Sequence, residues 1–461
     1  MSMLLEKFLE IVNDWQFVFP QVRTTKRAIR QAIGSLACLG RRTLTRIIWS
    51  NGGEGKNWSS EYFLHSRSQW SSQDLFSGIL KRSLGYCRGQ LIGIAVDDTR
   101  VRKTGKCIKQ ASWTRDPMSP PFHVNFMLGV RFLQFAILLP LHKTLQAAAR
   151  AVPIRFEEVS AVKRPRRGRK NYDEEMKNYR EISKIHNLSS RTVESISAVR
   201  KLLDELGAVK KLLVIVGDGS FCNRRLFSLS AQRTHLLVRA RKDARLCKES
   251  QSPRRFYDEK KFTPRQILED DSLPWRQTRI FYGSRKRLVR YKEVINVYWQ
   301  HGAKRKPLRL LVLAPTPYRV RKTGRLKYRD PGFLLTTLVE GNTINLLQLY
   351  FDRWQIEVNH REEKDNLGVG QAQLHNFTAV PKQPALVVAS YSALLLASLA
   401  AFGPFRTSAF LPLPRWRANA TRPSCLDLLA LFRKEVVENK EIQHELGIDA
   451  TFQRLASVAA A

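Results

Sequence analysis

Two apolar runs that each lead into aspartate constrain the fold of this chain more than any other sequence feature. The first is LIGIAVDDT at residues 91–99, and the second lies in KKLLVIVGDGSFCNRR at residues 210–225. A short apolar run bounded by polar residues is typical of a buried strand. Helical patterns separate the two runs, at about residues 173–207, and strand–helix–strand order indicates α/β organisation. We therefore expect carboxylates at the ends of strands in one buried sheet.

Charge is the second constraint. The 461 residues include 79 Lys and Arg against 40 Asp and Glu, which gives a formal net charge of +39. Such an excess repels itself in a compact chain, so a polyanionic partner is the simplest explanation. Nucleic acid ranks first and an anionic membrane surface second. Basic runs at 163–170, 285–290 and 319–329 are interpreted either as DNA-backbone contacts or as solvated loops.

Other features bear on the cellular compartment. Six cysteines are scattered without a CxxC pair or zinc spacing, which predicts a reducing compartment and no disulfide framework. The N-terminal stretch carries acidic residues and no small-residue cleavage site, so we do not interpret it as a signal peptide. Residues 385–403 are almost long enough to span a bilayer but contain three serines and a tyrosine. We interpret them as a buried core helix, with a membrane helix as the alternative, and expect no membrane partner.

Changes in pattern along the chain predict its organisation. A helix–Gly–helix pattern around Gly40 suits either a DNA-reading helix-turn-helix or a small bundle with a basic surface. The apolar run at 124–141 predicts two strands with a turn near Gly129. Five segments follow from these patterns: a helical region at 1–90, the first part of an α/β core at 91–245, a β-rich basic insertion at 246–340, the second part of the core at 341–403, and a C-terminal helical region at 404–461.

The stretch YFDRWQIEVNHREEK, residues 350–364, can be tested on a helical wheel. At about 100° per residue, Tyr350, Arg353, Glu357 and Lys364 fall within an arc of about 60°. The opposite face, interpreted as solvated, carries the remaining polar positions Asp352, Gln355, Asn359, Glu362 and Glu363. Taken alone, the stripe is also explained by a buried row of ion pairs at helical spacing.

The three acidic positions are interpreted here as one group. An aspartate at the end of each buried strand and Glu357 on a later helix can hold two divalent cations. Ligands that are all oxygen suit Mg²⁺ or Mn²⁺. Two such ions stabilise the attacking and leaving oxygens of a phosphoryl displacement, whereas carboxylates clustered without a cation repel each other. The arginine, lysine and tyrosine of the stripe could then hold phosphate oxygens.

In this order, VDDT, VIVGDGSFCN and YFDRWQIEVNHREEK resemble the three acidic motifs of bacterial insertion-sequence DDE transposases of the insertion-sequence-four-like superfamily. The last segment matches that group's signature Tyr-x2-Arg-x3-Glu-x6-Lys at all four named positions. The resemblance covers about residues 91–380. It implies an α/β fold in which an RNase H-like mixed-sheet catalytic core carries a β-rich insertion and follows an α-helical N-terminal DNA-binding region.

The resemblance also implies the site residues. Asp98, Asp218 and Glu357 would be the catalytic metal ligands, for two Mg²⁺ or Mn²⁺ ions. Asp97 and Asp98 are adjacent, and their side chains leave a strand on opposite faces. The family's first acid usually stands before a small residue such as Thr99, which favours Asp98; Asp97 is the alternative. DNA contacts are expected from Tyr350, Arg353, Arg361 and Lys364, and from Trp299 if it stacks on an extruded base rather than packing in a hairpin.

The function implied is DNA transposition by two-metal phosphoryl transfer. The chain would cleave the terminal inverted repeats of a DNA element and join them to target DNA, as a homodimer in the complex. Residues 1–90 would bind the element ends and 404–461 would supply a candidate dimer contact, in a prokaryotic cytoplasm near the nucleoid. The alternatives are an RNase H-like nuclease or resolvase that does not join strands, and a domesticated DNA-binding protein with an idle site.

Overall fold

The computed structural model describes residues 3–105, 107–116, 119–120, 122–141, 148–159, 162–168, 170–321 and 323–460. The α-helices are α1 Met3–Val12, α2 Val22–Ala37, α3 Leu44–Ser50, α4 Ser59–Ser66, α5 Ser77–Leu84, α6 Tyr172–Ile185, α7 Leu188–Glu205, α8 Arg224–Phe227, α9 Pro264–Glu269, α10 Thr343–Asp352, α11 Trp354–Arg361, α12 Ala379–Phe402, α13 Cys425–Glu438, α14 Lys440–Leu446 and α15 Phe452–Ala460. The strands are β1 Leu91–Arg102, β2 Ser112–Arg115, β3 Phe126–Pro140, β4 Ala149–Glu158, β5 Leu212–Gly217, β6 Thr234–Arg239, β7 Leu246–Glu249, β8 Tyr257–Phe262, β9 Arg276–Tyr282, β10 Arg285–Val297, β11 Leu308–Leu313, β12 Pro317–Tyr318, β13 Lys327–Tyr328 and β14 Gly332–Thr336.

A ten-stranded mixed sheet forms the centre of the protein, in the order β2-β3-β1-β5-β6-β14-β11-β10-β9, with β4 paired to β3. The strands β1, β3 and β4 pair antiparallel, whereas β5 runs parallel to both β1 and β6. The two apolar runs that open the sequence argument are therefore neighbouring parallel strands. This arrangement confirms the predicted mixed α/β architecture.

Two details of the sheet bear on the sequence predictions. The turn expected near Gly129 is wrong, because β3 is one continuous strand in which Gly129 faces Arg102 of β1. A Cβ at Gly129 would lie 3.0 Å from the Val101 carbonyl oxygen, so the glycine serves close strand approach rather than a turn. Within 246–340, the strands β9, β10, β11 and β14 extend the central sheet, while the pairs β7–β8 and β12–β13 lie outside it.

Each face of the sheet has its own apolar core. On one face, Ala95 of β1 and Val216 of β5 pack with Leu346, Leu349 and Ile356 of α10 and α11. On the other face, alternate residues of β1 join a larger core that includes α1, α2, α12 and α13. Because side chains alternate along a strand, neighbouring positions of β1 belong to different cores. This alternation decides which aspartate of the first motif faces α11.

The C-terminal helices share the larger core with the N-terminal ones. The helix α12 is the only one in the described part of the chain that is long and apolar enough to cross a membrane, and 78% of its most apolar window is buried. It packs against α1 and β4, as the core-helix interpretation requires. Ser424 caps α13 as its sequence suggests, and all six cysteines are free. The helix α2 packs on α12 and α13, and DNA reading by residues 1–90 stays a prediction.

Gly93 of β1 lies in close contact with a side chain of α10. A Cβ at Gly93 would lie 2.4 Å from Cδ2 of the buried Leu349. We expect Gly93→Val to lower the free energy of unfolding by about 1–3 kcal/mol, because the added carbons overfill this contact. Urea unfolding measures the loss, and Gly89→Val is the matched control, since a Cβ at Gly89 meets nothing closer than 3.9 Å. Equal midpoints for the two variants would contradict the packing argument.

Candidate functional site

Parallel pairing of β1 and β5 brings acidic groups together at one edge of the sheet core. The register places Ala95 opposite Val216, so Asp97 and Asp218 occupy the next equivalent positions along the two strands. Asp218 directly follows β5 and caps a single 3₁₀ turn, where the backbone N–H of Ser220 donates to its Oδ1 at 2.8 Å. Both aspartate motifs predicted from the sequence therefore end beside one another.

The two aspartates of the first motif have different surroundings. Asp98 accepts a hydrogen bond from Nε of Arg131 at 2.7 Å, on the face of β1 that carries Val96 and the larger core. Asp97 lies on the face of Ala95, toward α11, and its Oδ2 is 3.7 Å from Nη1 of Arg353. The structure thus sets Asp97 beside the signature helix and turns Asp98 away from it. This geometry favours Asp97, and the choice between the two aspartates stays a prediction.

One signal in the sequence pointed to Asp97. Gly93 and Ala95 share its strand parity, and small residues on one face let a helix pack closely. The preference for Asp98 rested on the neighbouring Thr99 and on parity with the larger apolar residues. Those larger residues, Ile92, Ile94 and Val96, pack in the larger core, on the face of β1 that points away from α11. Parity with them therefore favours the aspartate that does not face the signature helix.

The signature stretch is not one continuous α-helix. Arg353 stands at a break between α10 and α11, and a π-helical turn at Glu362–Asn366 follows α11. Across the break, Nη2 of Arg353 donates to Oε1 of Glu357 at 2.7 Å. Burial raises the pKa of Tyr350, to which the charges of Asp218 and Glu357 also contribute. Tyr350, Arg353 and Glu357 therefore lie at the same site as Asp218.

Lys364 completes the stripe from the π-helical turn. Burial lowers the pKa of its ammonium group, and the charges of Glu363, Asp365 and Asp97 oppose that shift. The four signature residues thus all interact with the group of acids, although the helix that carries them is interrupted. Arg361, the fourth residue of this stretch that is expected to bind DNA, is exposed on α11.

The face of this stretch that we predicted to be solvated is largely buried. Glu363 is 1% exposed and accepts a hydrogen bond from Nε2 of Gln134 at 2.9 Å. Asn359 donates from Nδ2 to the Ala151 carbonyl oxygen at 3.2 Å, and burial raises the pKa of Asp352 well above its usual value. The prediction is wrong for these residues because α11 packs on β1 and β4, and because the π-helical turn shifts the angular phase after residue 361.

Asp97 is the most perturbed of the candidate ligands. Burial raises its pKa to about 6; the charges of Asp218 and Asp98 add to the rise, while His360 and Arg353 oppose it. The cause is the cost of placing a charge in a dry, partly negative pocket. At that pKa Asp97 is mostly ionised at neutral pH, and nearby cations would stabilise its charge further.

Sequence reasoning gave no role to the polar groups that surround Asp97. Gln134 faces it directly across the β1–β3 pair, so both side chains lie on one face of the sheet. His360 is 8% exposed, and neither of its ring nitrogens has a hydrogen-bond partner among the described residues. Its Nδ1 lies 3.6 Å from the Glu363 carboxylate. These groups lie beside Asp97 on the same side of the sheet.

An aromatic surface on the β2–β3 ribbon was also missed. Trp113 and Phe126 are 67% and 64% exposed, and Arg115 lies directly opposite Phe126. The registers from β2 through β3 to β1 place these side chains on the same face as Asp97. Exposed aromatic and basic groups on one strand pair are suited to contact with nucleic acid. The alternating SWTR stretch was the available sequence signal.

Trp299 has the surroundings of a packing residue. Its ring meets Phe227 edge-on with the centroids 5.5 Å apart, and a Cβ at Gly302 would overlap the indole. These contacts match the hairpin-packing alternative. Of the basic runs, 285–290 begins β10 and 319–329 surrounds β13, whereas 163–170 precedes α6; positions 169 and 322 lie outside the described residues.

The chemistry of the acids suits a divalent cation, but the described side chains are not yet arranged as a metal site. Among the described residues, no three His, Cys, Asp or Glu side chains are already close enough to hold a metal ion. The guanidinium of Arg353 lies instead between Asp97 and Glu357, and its buried Nη1 has no hydrogen-bond partner. The donor set is all carboxylate oxygen, which suits Mg²⁺ or Mn²⁺. The donor chemistry therefore suits such an ion, and the carboxylates would have to come closer together to hold one.

Comparisons with known proteins agree with this chemistry. The family described as DDE superfamily endonuclease matches residues 18–306 of the chain. The match includes Asp97, Asp98 and Asp218 and ends before the signature stretch, so the expectation for Glu357 rests on the signature spacing and on its place beside Arg353. A search of curated proteins gives no match.

Proposed function

Because the chain belongs to the DDE superfamily endonucleases, we propose that it is a transposase, which cleaves the ends of a DNA element and joins them to target DNA. The membership itself supports a metal-dependent nuclease that acts on DNA. The observation that carries the finer proposal is the grouping of Asp97, Asp218 and Glu357 with the signature residues Tyr350 and Arg353.

We assign the catalytic ligands as Asp97, Asp218 and Glu357. Two bound Mg²⁺ or Mn²⁺ ions would stabilise charge on the attacking and leaving oxygens of the phosphodiester. The three carboxylates come from two neighbouring strands and one helix, so the sheet core sets their separation. Arg353 and Lys364 would hold non-bridging phosphate oxygens, and the hydroxyl of Tyr350 would donate to the same phosphate.

The RNase H-like assignment of the core is part of the same proposal. It is supported by the order β4-β3-β1-β5-β6, in which three antiparallel strands are followed by two that run parallel to β1. The remaining strands of 246–340 widen this sheet. The excess of basic residues over the whole chain supplies the general attraction to double-stranded DNA, with residues 1–90 proposed to read the terminal inverted repeats.

A homodimer in the DNA complex and a prokaryotic cytoplasmic location complete the proposal. Leu428, Leu429 and Phe432 of α13 are buried in the core of the same chain. We therefore propose that other residues of 404–461, rather than the apolar face of α13, supply the dimer contact. Exposed residues of that region, such as Trp416 at 84%, stay available for it.

A strand-transfer assay tests the proposal. Purified protein is incubated with Mg²⁺, a supercoiled target plasmid and labelled duplexes that carry the inverted repeats flanking its gene. We expect labelled ends joined to the plasmid. Cleavage without joining would instead favour the nuclease or resolvase alternative, and DNA binding without cleavage would favour the domesticated DNA-binding protein.

A further inference from the structure

Arg353 contacts two of the acids that we propose as cation ligands. Its Nη2 donates to Oε1 of Glu357 at 2.7 Å, and its Nη1 lies 3.7 Å from Oδ2 of Asp97. We propose that Arg353 is a built-in counterion of the cation-free site, which leaves the two carboxylates when a divalent cation binds and is thereby released to a DNA phosphate. The phosphate step rests on the proposed function; the counterion step requires only cation binding.

The contacts of Arg353 are those of a replaceable partner. The side chain is 13% exposed, yet Nη1 makes no hydrogen bond within the described structure. A permanent buried ion pair is stable when its N–H groups are satisfied, because an unpaired buried donor carries a desolvation cost. Here one of the two contacts is a close charge-assisted hydrogen bond and the other is only a longer charge contact.

The surrounding charges explain why a counterion is needed. Asp218 and Asp98 both raise the pKa of Asp97, and they do so in addition to burial. Without a cation, ionised carboxylates at this position would repel one another. A guanidinium neutralises them while the site awaits a divalent ion. The backbone of Arg353 has helical φ and ψ angles of −49° and −33°, so the proposed change involves its side chain.

The consequence is a link between cation loading and DNA binding. A bridging cation and the guanidinium cannot occupy the same space between Asp97 and Glu357. Once freed, Arg353 remains tethered beside the scissile phosphate and can bind it bidentately. Cation binding would therefore supply the DNA-binding arginine, and DNA would favour cation binding by the same factor.

The inference is tested by whether the loss of the Arg353 charge raises or lowers the affinity of the protein for a divalent cation. Mn²⁺ binding to the DNA-free, full-length protein is followed by electron paramagnetic resonance, for wild type and Arg353→Gln. We expect Arg353→Gln to bind Mn²⁺ about tenfold more tightly, because the ion no longer competes with a charged hydrogen bond. A residue that merely orders the site would give the opposite sign, since its loss would misplace the carboxylates and weaken binding.

Two further variants serve as controls for this experiment. Arg361→Gln removes the same charge from an exposed position on α11, and it should change Mn²⁺ affinity by less than about twofold. Arg353→Lys keeps the charge without the forked geometry, so its Mn²⁺ affinity should fall between those of wild type and Arg353→Gln. It replaces the glutamine variant in the test if that variant does not fold. Equal gains in Arg353→Gln and Arg361→Gln would overturn the inference, because net charge alone would then explain them.

The outcomes separate this inference from the proposed function. Wild-type protein that binds Mn²⁺, together with Arg353→Gln that binds it equally or more weakly, overturns the counterion role and leaves the nuclease proposal intact. Wild-type protein that binds no Mn²⁺ overturns both. Tighter binding in Arg353→Gln with impaired DNA cleavage supports both, since the arginine is then a competitor for the cation and a partner for DNA.

Discussion

Asp97→Asn removes DNA cleavage, with a loss on the order of 10³-fold or more, whereas Asp98→Asn stays within about tenfold of wild type. The amide keeps the size of the side chain but removes the charge that a divalent cation requires. Asp97 faces Arg353 and α11, while Asp98 pairs with Arg131 on the other face of β1. Mg²⁺-dependent nicking of a supercoiled plasmid measures both variants.

Stability must be compared alongside activity. Asp98→Asn loses a partly exposed ion pair, so we expect the free energy of unfolding to fall by about 1 kcal/mol or less. Asp97→Asn should not be less stable, because it replaces a buried carboxylate whose pKa burial already raises to about 6. If Asp98→Asn were inactive and Asp97→Asn active, the assignment that follows from Thr99 would be restored and the geometric one rejected.

Glu357→Gln abolishes cleavage to a similar degree and leaves DNA binding intact. Glu357 would supply a cation ligand from α11, and the amide oxygen is a far weaker ligand for Mg²⁺ than a carboxylate. The loss of one negative charge does not weaken attraction to DNA, so the dissociation constant in Ca²⁺ or EDTA should be unchanged or slightly lower. Nicking assays and fluorescence anisotropy with a labelled duplex separate the two effects.

Asp365→Asn is the matched control for this experiment. Asp365 is an exposed carboxylate in the π-helical turn that follows α11, and its loss should leave nicking within a few fold of wild type. Glu357 also lies beyond residues 18–306, which the family comparison covers, so this variant is the direct test of the third acid. Normal nicking by Glu357→Gln would leave the site with two aspartates and would remove the basis for the transposase proposal.

Much of the fold could be predicted from the sequence because its apolar runs and helical patterns were strong. The apolar runs at 91–99 and 210–225 became adjacent strands, and the helical patterns at 173–207 became α6 and α7. Burial of both sheet faces requires such uninterrupted runs. The β3 strand was misread as two because a glycine inside an apolar run signals a turn and a close strand contact equally well.

The sequence by itself determined the chemistry of the candidate site: its two aspartate-bearing strands, their order, and the spacing that groups Tyr350, Arg353, Glu357 and Lys364. Only the tertiary structure decided that Asp97 rather than Asp98 faces that group, that Glu363 is buried on Gln134, and that Arg353 lies between two carboxylates. The reason is physical. Alternation along a strand gives two faces without saying which one a distant helix will cover, and that choice is made by packing between segments about 250 residues apart in the chain.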